Sequence, residues 1–147
     1  MPTNTLTFEI LGKPIAQKRP RFARHGAFVK TYSDQVTEAG KWIAELISQI
    51  RNDTRLPIPS KIPVAIEAHF IFPLISGFSK AKVRQIEGGK IIEHVSKPDA
   101  DNCLKWVKDC MSKGVVYHDD AQVWECSGRK CYGLVPKTII TVTWRTL

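Results

Sequence analysis

The chain has 147 residues, 43% of them hydrophobic and 24% charged. That suits one domain, residues 1–147, with its own core, since a chain of this length buries about 68–70% of its unfolded surface. These proportions exclude a disordered tail, a fibre and a disulfide scaffold. Lys and Arg number 22 against 14 Asp and Glu, a formal charge of +8. Such a balance points to a polyanionic partner, nucleic acid first, although a solvated basic surface gives the same arithmetic. No apolar run approaches the roughly 20 residues of a membrane span. No signal-peptide pattern opens the chain, so a cytoplasmic protein without membrane attachment is expected.

In chain order, Thr5–Leu11 alternates apolar with polar side chains and ends at Gly12, which predicts a first strand. Residues 13–30 carry Lys13, Lys18, Arg19, Arg21, Arg24 and Lys30 and no acid, punctuated by Pro14, Pro20 and Gly26. This reads as an irregular basic loop or short hairpin. Phe22 and Phe28 are interleaved there, for core packing or for stacking on opened bases. Asp34–Ile50 has helical periodicity through Val36, Ala39, Ile43, Leu46, Ile47 and Ile50, with Ser33 or Asp34 as cap.

After a Pro-rich connector, Val64–Phe72 alternates as a core strand. Pro73–Lys97 reads as a loop with one helical turn after Ser79, mobile around Gly88 and Gly89. Asp101–Ser112 is the second helix, with Cys103, Leu104, Val107, Cys110 and Met111 as its buried stripe and Gly114 beyond its end. Val115–Tyr117 reads as a short strand, His118–Asp120 as a turn, Gln122–Tyr132 as a strand or hairpin and Thr138–Trp144 as a last strand. The expected class is α/β (α+β): a small mixed sheet of four to five strands flanked by two main helices. Trp42 and Trp106 are candidates for a helix-mediated contact between subunits.

None of the four cysteines forms the C-x2-C pair of strong zinc sites. Cys103 and Cys110 share a helix face, and Cys126 and Cys131 flank Gly128, where they would meet if the segment is a hairpin. All four are expected as thiols.

The aspartates are the most informative residues. The chain has seven, and five lie between 99 and 120. In Lys97-Pro98-Asp99-Ala100-Asp101-Asn102 the two acids are two residues apart where a helix begins, and Lys105 follows Asp101 by one helical turn. Asp119 and Asp120 come after a chain reversal that can return them to the helix. Carboxylates gathered around a lysine repel one another unless a hard cation binds them, and Mg²⁺ prefers such oxygens while keeping positions for water and phosphate. A cation so held activates water against a phosphodiester, and a lysine adds charge stabilisation. Each acid also has an ordinary reading: Asp99 and Asp101 as caps, Asp119-Asp120 as a turn, and Lys105 with Asp109 as a surface pair. His118 lies beside Asp119, but hard-cation sites favour oxygen ligands.

The stretch KPDADNCLKWVKDCMSKGVVYHDDAQV, with its D-x-D-N, a Lys four residues on, a further Asp, a Gly and D-D-x-Q, resembles the core of the RusA-type Holliday junction resolvases. These are endonucleases common in bacteria and their prophages. The match is close over residues 97–123 and looser over the basic QKRPRF segment and the closing strand. The resemblance implies a small α/β homodimer that makes paired Mg²⁺-dependent nicks in branched, four-way DNA during recombination and repair, with Mn²⁺ as a substitute ion.

It carries the essential carboxylates onto Asp99, Asp101 and Asp120, the essential lysine onto Lys105, and a less certain metal ligand onto Asp119. Asn102 and Asp109 also match, as supporting residues: Asn102 to cap or orient the site, Asp109 to brace Lys105 or Lys108. The basic residues expected to contact phosphates are Lys18, Arg19, Arg21, Arg24, Lys80, Lys82, Arg84 and Lys97. Two other readings stay open: a general structure-selective nuclease on the same chemistry, and a non-catalytic DNA-binding recombination accessory protein whose acids are only caps and turns.

Overall fold

The structure, a computed structural model, describes residues 2–18, 21–25, 28–32 and 35–146, with only the backbone over 21–25 and 28–32. Its strands are β1 (Thr3–Leu11), β2 (Arg21–His25), β3 (Phe28–Tyr32), β4 (Val64–Pro73), β5 (Val123–Gly133) and β6 (Lys137–Arg145). Its helices are α1 (Val36–Ile50), α2 (Lys80–Glu87) and α3 (Ala100–Met111), and a 3₁₀ turn spans Asp120–Gln122. Four strands form a mixed sheet in the order β1-β6-β4-β5, and β2 and β3 form a separate antiparallel ribbon. The mixed α+β class is the expected one. Among the described residues no helix is long and apolar enough to cross a membrane.

Alternation sets the two faces of the sheet. Val64, Ile66, Ala68, Phe70 and Phe72 of β4 are buried, as are Ile140, Val142 and Trp144 of β6 and Phe8 and Ile10 of β1. α1 and α3 cover this face. Trp42 meets Phe8 edge-on at 6.3 Å between ring centres, and Leu46 and Ile50 continue its stripe. Val36 and Ile47, expected in that stripe, are exposed at 72% and 44%. Trp42 and Trp106 are buried within this chain, so neither is a surface for contact between subunits. Thr5, Thr7, Thr141 and Thr143 lie on the opposite, more open face with Glu67 and His69, whose Nε2 is 2.9 Å from Glu67 Oε1. The caps expected for α1, Ser33 and Asp34, lie outside the described residues, as do the side chains of Phe22 and Phe28.

β4 and β5 run parallel, so the chain must cross over between them. The crossover holds α2 and α3. The single turn expected after Ser79 is a helix of eight residues, capped by Ser79 Oγ accepting from Lys82 N–H at 3.1 Å. Residues 92–94 then run along the outer edge of β5: Tyr132 N–H donates to Ile92 O and His94 N–H to Lys130 O. Here an exposed edge is covered by the chain itself.

α3 packs onto β5 at Gly128, where a Cβ would lie 3.1 Å from both Leu104 and Phe70. A glycine in mid-strand otherwise weakens a sheet; this one gives α3 its close approach. β5 is one continuous strand, not a hairpin. Cys126 and Cys131 therefore stand five residues apart on opposite faces and cannot meet, and all four cysteines are free thiols. Burial pushes the Cys103 and Cys110 thiols up to about 11 and about 12.

The strand expected at Val115–Tyr117 is absent. Lys113 and Gly114 adopt φ of 60° and 90° and turn the chain back. The N–H groups of Val116 and Tyr117 both return to Met111 O, so they have none to give to a sheet.

Two measurements test this packing. Gly128→Val forces Leu104 off β5, and overpacking of this kind costs about 1–3 kcal/mol, read as a lowered urea midpoint. His94 is 8% exposed and stacks on Phe72 at 3.9 Å. Burial first, and the Lys130 charge second, hold its pKa below the ordinary 6.5. The unfolded chain thus takes up this proton more readily than the folded one. The contribution to stability is complete above pH 6.5 and is lost as pH falls toward the folded-state value. His94→Phe should flatten the wild-type loss of stability between about pH 7 and pH 5.

Candidate active site

α3 begins at Asp99, which occupies the N-cap position in extended backbone. Its side chain makes no capping hydrogen bond. Asp101 sits in the first helical turn and is exposed. Both carboxylates gain from the positive end of the helix dipole without being consumed by a partner.

The turn before them is fixed from β5. Lys130 Nζ donates to Ser96 O and Pro98 O, each at 2.7 Å. Neither the sequence periodicity nor the motif marks Lys130; only the β5–α3 packing reveals it.

The basic segment 13–18 is tied to the same place. Gln17 N–H donates to Asn102 O at 2.9 Å. Gln35, 3% exposed, accepts from Lys18 N–H at 2.7 Å and donates from Nε2 to Ala16 O at 2.9 Å. The result is a cleft of about 830 Å³ whose charged walls are Lys13, Lys18, Lys97, Glu38 and Asp99, with Asn102 beside them. Lys13, not among the residues expected to contact phosphate, lines the cleft as well. Lys80, Lys82 and Arg84 do not line it: all three are on α2, and Lys82 Nζ lies 4.3 Å over the Phe78 ring. Arg19 lies outside the described residues, and so do the side chains of Arg21 and Arg24.

Asp119 and Asp120 differ in use. Asp119 Oδ1 accepts from Ala121 N–H at 2.8 Å, and Gln122 Oε1 reaches back to Asp119 N–H at 3.1 Å, a capping box on the 3₁₀ turn. One oxygen of Asp119 thus has the ordinary structural role. Asp120 Oδ1 lies 3.0 Å from the hydroxyl of Tyr117, which is also 3.0 Å from Lys108 O. One phenolic proton serves two acceptors, and burial with the nearby Asp120 charge raises the Tyr117 pKa. Asp120 Oδ2 has no hydrogen-bond partner among the described residues.

The acids do not converge on one point. Among the described residues no three Asp, Glu, His or Cys side chains lie close enough together to hold a metal ion by themselves. The reason is geometric. Asp120 is tied through Tyr117 to Lys108, and at 1.5 Å rise per residue that carbonyl is about 10 Å along α3 from Asp101. Lys105 falls between the two ends on the same helix face. No ion pair joins Asp109 to Lys105 or Lys108, so the brace expected of it is not formed. His118 is exposed and lines a smaller pocket with Asp119.

Tyr117→Phe keeps the ring and removes the hydroxyl. It should cost about 0.5–1.5 kcal/mol of unfolding free energy, against about 3–5 kcal/mol for Tyr117→Ala by analogy with other large aromatic truncations, both read by urea titration.

Comparison with known proteins places the chain in a family. The chain is 28% identical over 138 residues to an uncharacterized Bacillus subtilis (strain 168) protein, YqaN, covering 93% of this chain and 94% of that protein. The family model for endodeoxyribonuclease RusA matches residues 12–143, from the basic cleft segment through both acidic groups to the last strand. The chain belongs to the RusA endodeoxyribonuclease family.

Proposed function

We propose that this protein is a Mg²⁺-dependent endonuclease that resolves four-way DNA junctions by paired phosphodiester hydrolysis, acting as a homodimer in the cytoplasm of a bacterial or phage-infected cell. The observation that carries the reading is the cleft at the start of α3. An N-cap aspartate there caps nothing, and Lys13, Lys18 and Lys97 share its walls. A carboxylate left unspent inside a basic cleft is poorly explained by folding alone. It is well explained as a ligand that would hold a hard cation near phosphate.

The donors fit a hard cation in kind. Among the described residues, Asp99 makes no capping hydrogen bond, Asp101 is exposed, and Asp120 Oδ2 has no hydrogen-bond partner. The absence of a complete three-acid cage suits Mg²⁺, which is usually bound through one or two carboxylates together with waters and substrate phosphates. Asp99, Asp101 and Asp120 would hold one or two such ions from the two ends of the site, completed by waters and substrate phosphate, with Asp119 Oδ2 the remaining candidate. When bound, the metal supplies activated water and neutralises charge at the scissile phosphate.

The chain's own residues do the rest. Lys105 lies between the acidic ends, where its ammonium stabilises charge growing on the phosphoryl oxygens. Lys13, Lys18 and Lys97 hold the backbone of the polyanion at the cleft. Gln17 and Gln35 keep the basic segment in register with Asn102. Water attacks, and the products carry 5′-phosphates that a ligase can join. The second nick comes from the second copy of the chain.

A labelled four-way junction, beside a linear duplex of the same sequence, tests this. Wild type should nick the junction in pairs with Mg²⁺, and Asp101→Asn should abolish cleavage while leaving binding. Lys105→Ala should slow cleavage by about 10²–10³-fold, the size seen for loss of one charge-stabilising donor. Tight binding without cleavage in both Mg²⁺ and Mn²⁺ would leave a DNA-binding accessory protein. Equal cleavage of linear DNA would leave a general nuclease. If about six phosphates are contacted, affinity should fall by about 10³-fold between 50 and 200 mM salt. A flat salt response would remove the basic cleft from the DNA interface.

A further inference from the structure

β5 breaks its alternation where it leaves the acidic turn. Its parallel ladder pairs Val64 with Val123 and then Ala65 with Glu125, so Trp124 has no partner on β4. An extra residue of this kind is a bulge, and bulges commonly re-aim a side chain beside a functional site. Trp124 is 68% exposed, whereas Trp42, Trp106 and Trp144 are 5%, 3% and 5% exposed. The bulged indole is therefore the one tryptophan that this fold turns to solvent.

It does not stand on a featureless surface. Trp124 forms one wall of a pocket of about 380 Å³, with Lys61, His118 and Asp119 among the others. Two of these walls are tied together by one buried side chain. Gln122 Nε2 donates to Pro59 O at 2.9 Å and Ile62 O at 3.1 Å, while its Oε1 accepts from the N–H groups of His118 and Asp119. The pocket is thus preformed, and it opens four residues beyond Asp120.

We propose that Trp124 is a stacking platform for an unpaired nucleobase of the DNA whose phosphate is presented to Asp120. This inference rests on the nuclease reading above. An indole gives a broad π-face that every base can stack on. His118 supplies a polar edge for the base, and Lys61 gives a positive charge suited to the attached phosphate. The +8 balance of the chain favours that polyanion over a second basic copy of the same surface. A base opened near a junction centre would fit such a pocket; a fully paired duplex presents no free base face.

Because the other three tryptophans are buried, acrylamide quenching and DNA-induced change in indole emission report chiefly on Trp124. Four-way junction and single-stranded oligothymidylate are titrated in EDTA, so that no cleavage is required. Both should quench wild-type emission, and linear duplex much less. Trp124→Leu should weaken binding of the junction and the single strand by about 5–100-fold, the range of one base–aromatic stack. Trp124→Phe should restore most of that affinity, and thermal melting confirms that both variants fold.

Unchanged affinity in Trp124→Leu would overturn the proposal. So would an indole already shielded from acrylamide in the free protein, together with a Trp124→Leu variant that sediments as a smaller species, since the bulge would then serve contact between copies. Cleavage is scored separately. Quenching without any cleavage in Mg²⁺ would remove the nuclease reading and leave the stacking platform. Cleavage with no Trp124 effect would do the reverse.

Discussion

The close approach of α3 to β5 at Gly128 is the constraint on which the rest depends. Leu104 and Phe70 occupy the space a side chain there would fill. With α3 seated at this distance, Lys130 on the same strand reaches the carbonyls of Ser96 and Pro98 and fixes the turn that presents Asp99. The same seat sets where the helix ends. Tyr117 folds back from the turn at Lys113 and Gly114, puts its hydroxyl on Lys108 O and meets Asp120. A glycine in mid-strand thus governs both ends of the acidic stripe, although it touches neither.

The two ends are built by different devices. At the start of α3 the fixing is done by residues outside the acid motif: Gln17 N–H on Asn102 O, the Gln35 side chain on Ala16 and Lys18, and Lys130 Nζ on Ser96 O and Pro98 O. The charged side chains of Lys13, Lys18, Lys97 and Asp99 are thereby left available to a ligand. At the far end two buried side chains do the fixing. Gln122 locks the 3₁₀ turn to the 59–62 loop, and Tyr117 holds Asp120. This division is economical, because an acid that caps its own turn has less to give. Asp119 is spent in that way and its neighbour Asp120 is not.

Much of this was legible in the sequence, for identifiable reasons. β4 and β6 were readable because one buried face imposes strict alternation. α3 was readable because Cys103, Val107, Cys110 and Met111 fall at helical spacing and are buried. The acid motif located the site because its residues are local in the chain. The failures are where local pattern and tertiary partner disagree. Val115–Tyr117 looks like a strand, but its N–H groups are taken by Met111 O. Trp42 and Trp106 looked like interface residues because nothing in the sequence shows what covers them. Lys130, Gln35 and Gln122 were invisible. Their work is to bond backbone carbonyls and N–H groups of distant segments, which leaves no periodic trace.

The charge arrangement also shows how a basic protein can gather aspartates without pairing them. A direct salt bridge to Asp99 or Asp101 would neutralise the carboxylate but hold both partners, and a ligand would have to break it first. This site distributes the compensation instead. The N-terminal end of α3 supplies partial positive charge to both acids. Lys13, Lys18 and Lys97 sit on the walls of the cleft that Asp99 lines, without an ion pair among the described residues. Lys105 stands one turn beyond Asp101 on α3, likewise without an ion pair among the described residues. Each contribution is screened and modest. Together they lower the repulsion among the acids without tying Asp99 or Asp101 to an ion-pair partner among the described residues. A phosphate and a hard cation arriving together satisfy both signs at once, which neither does alone.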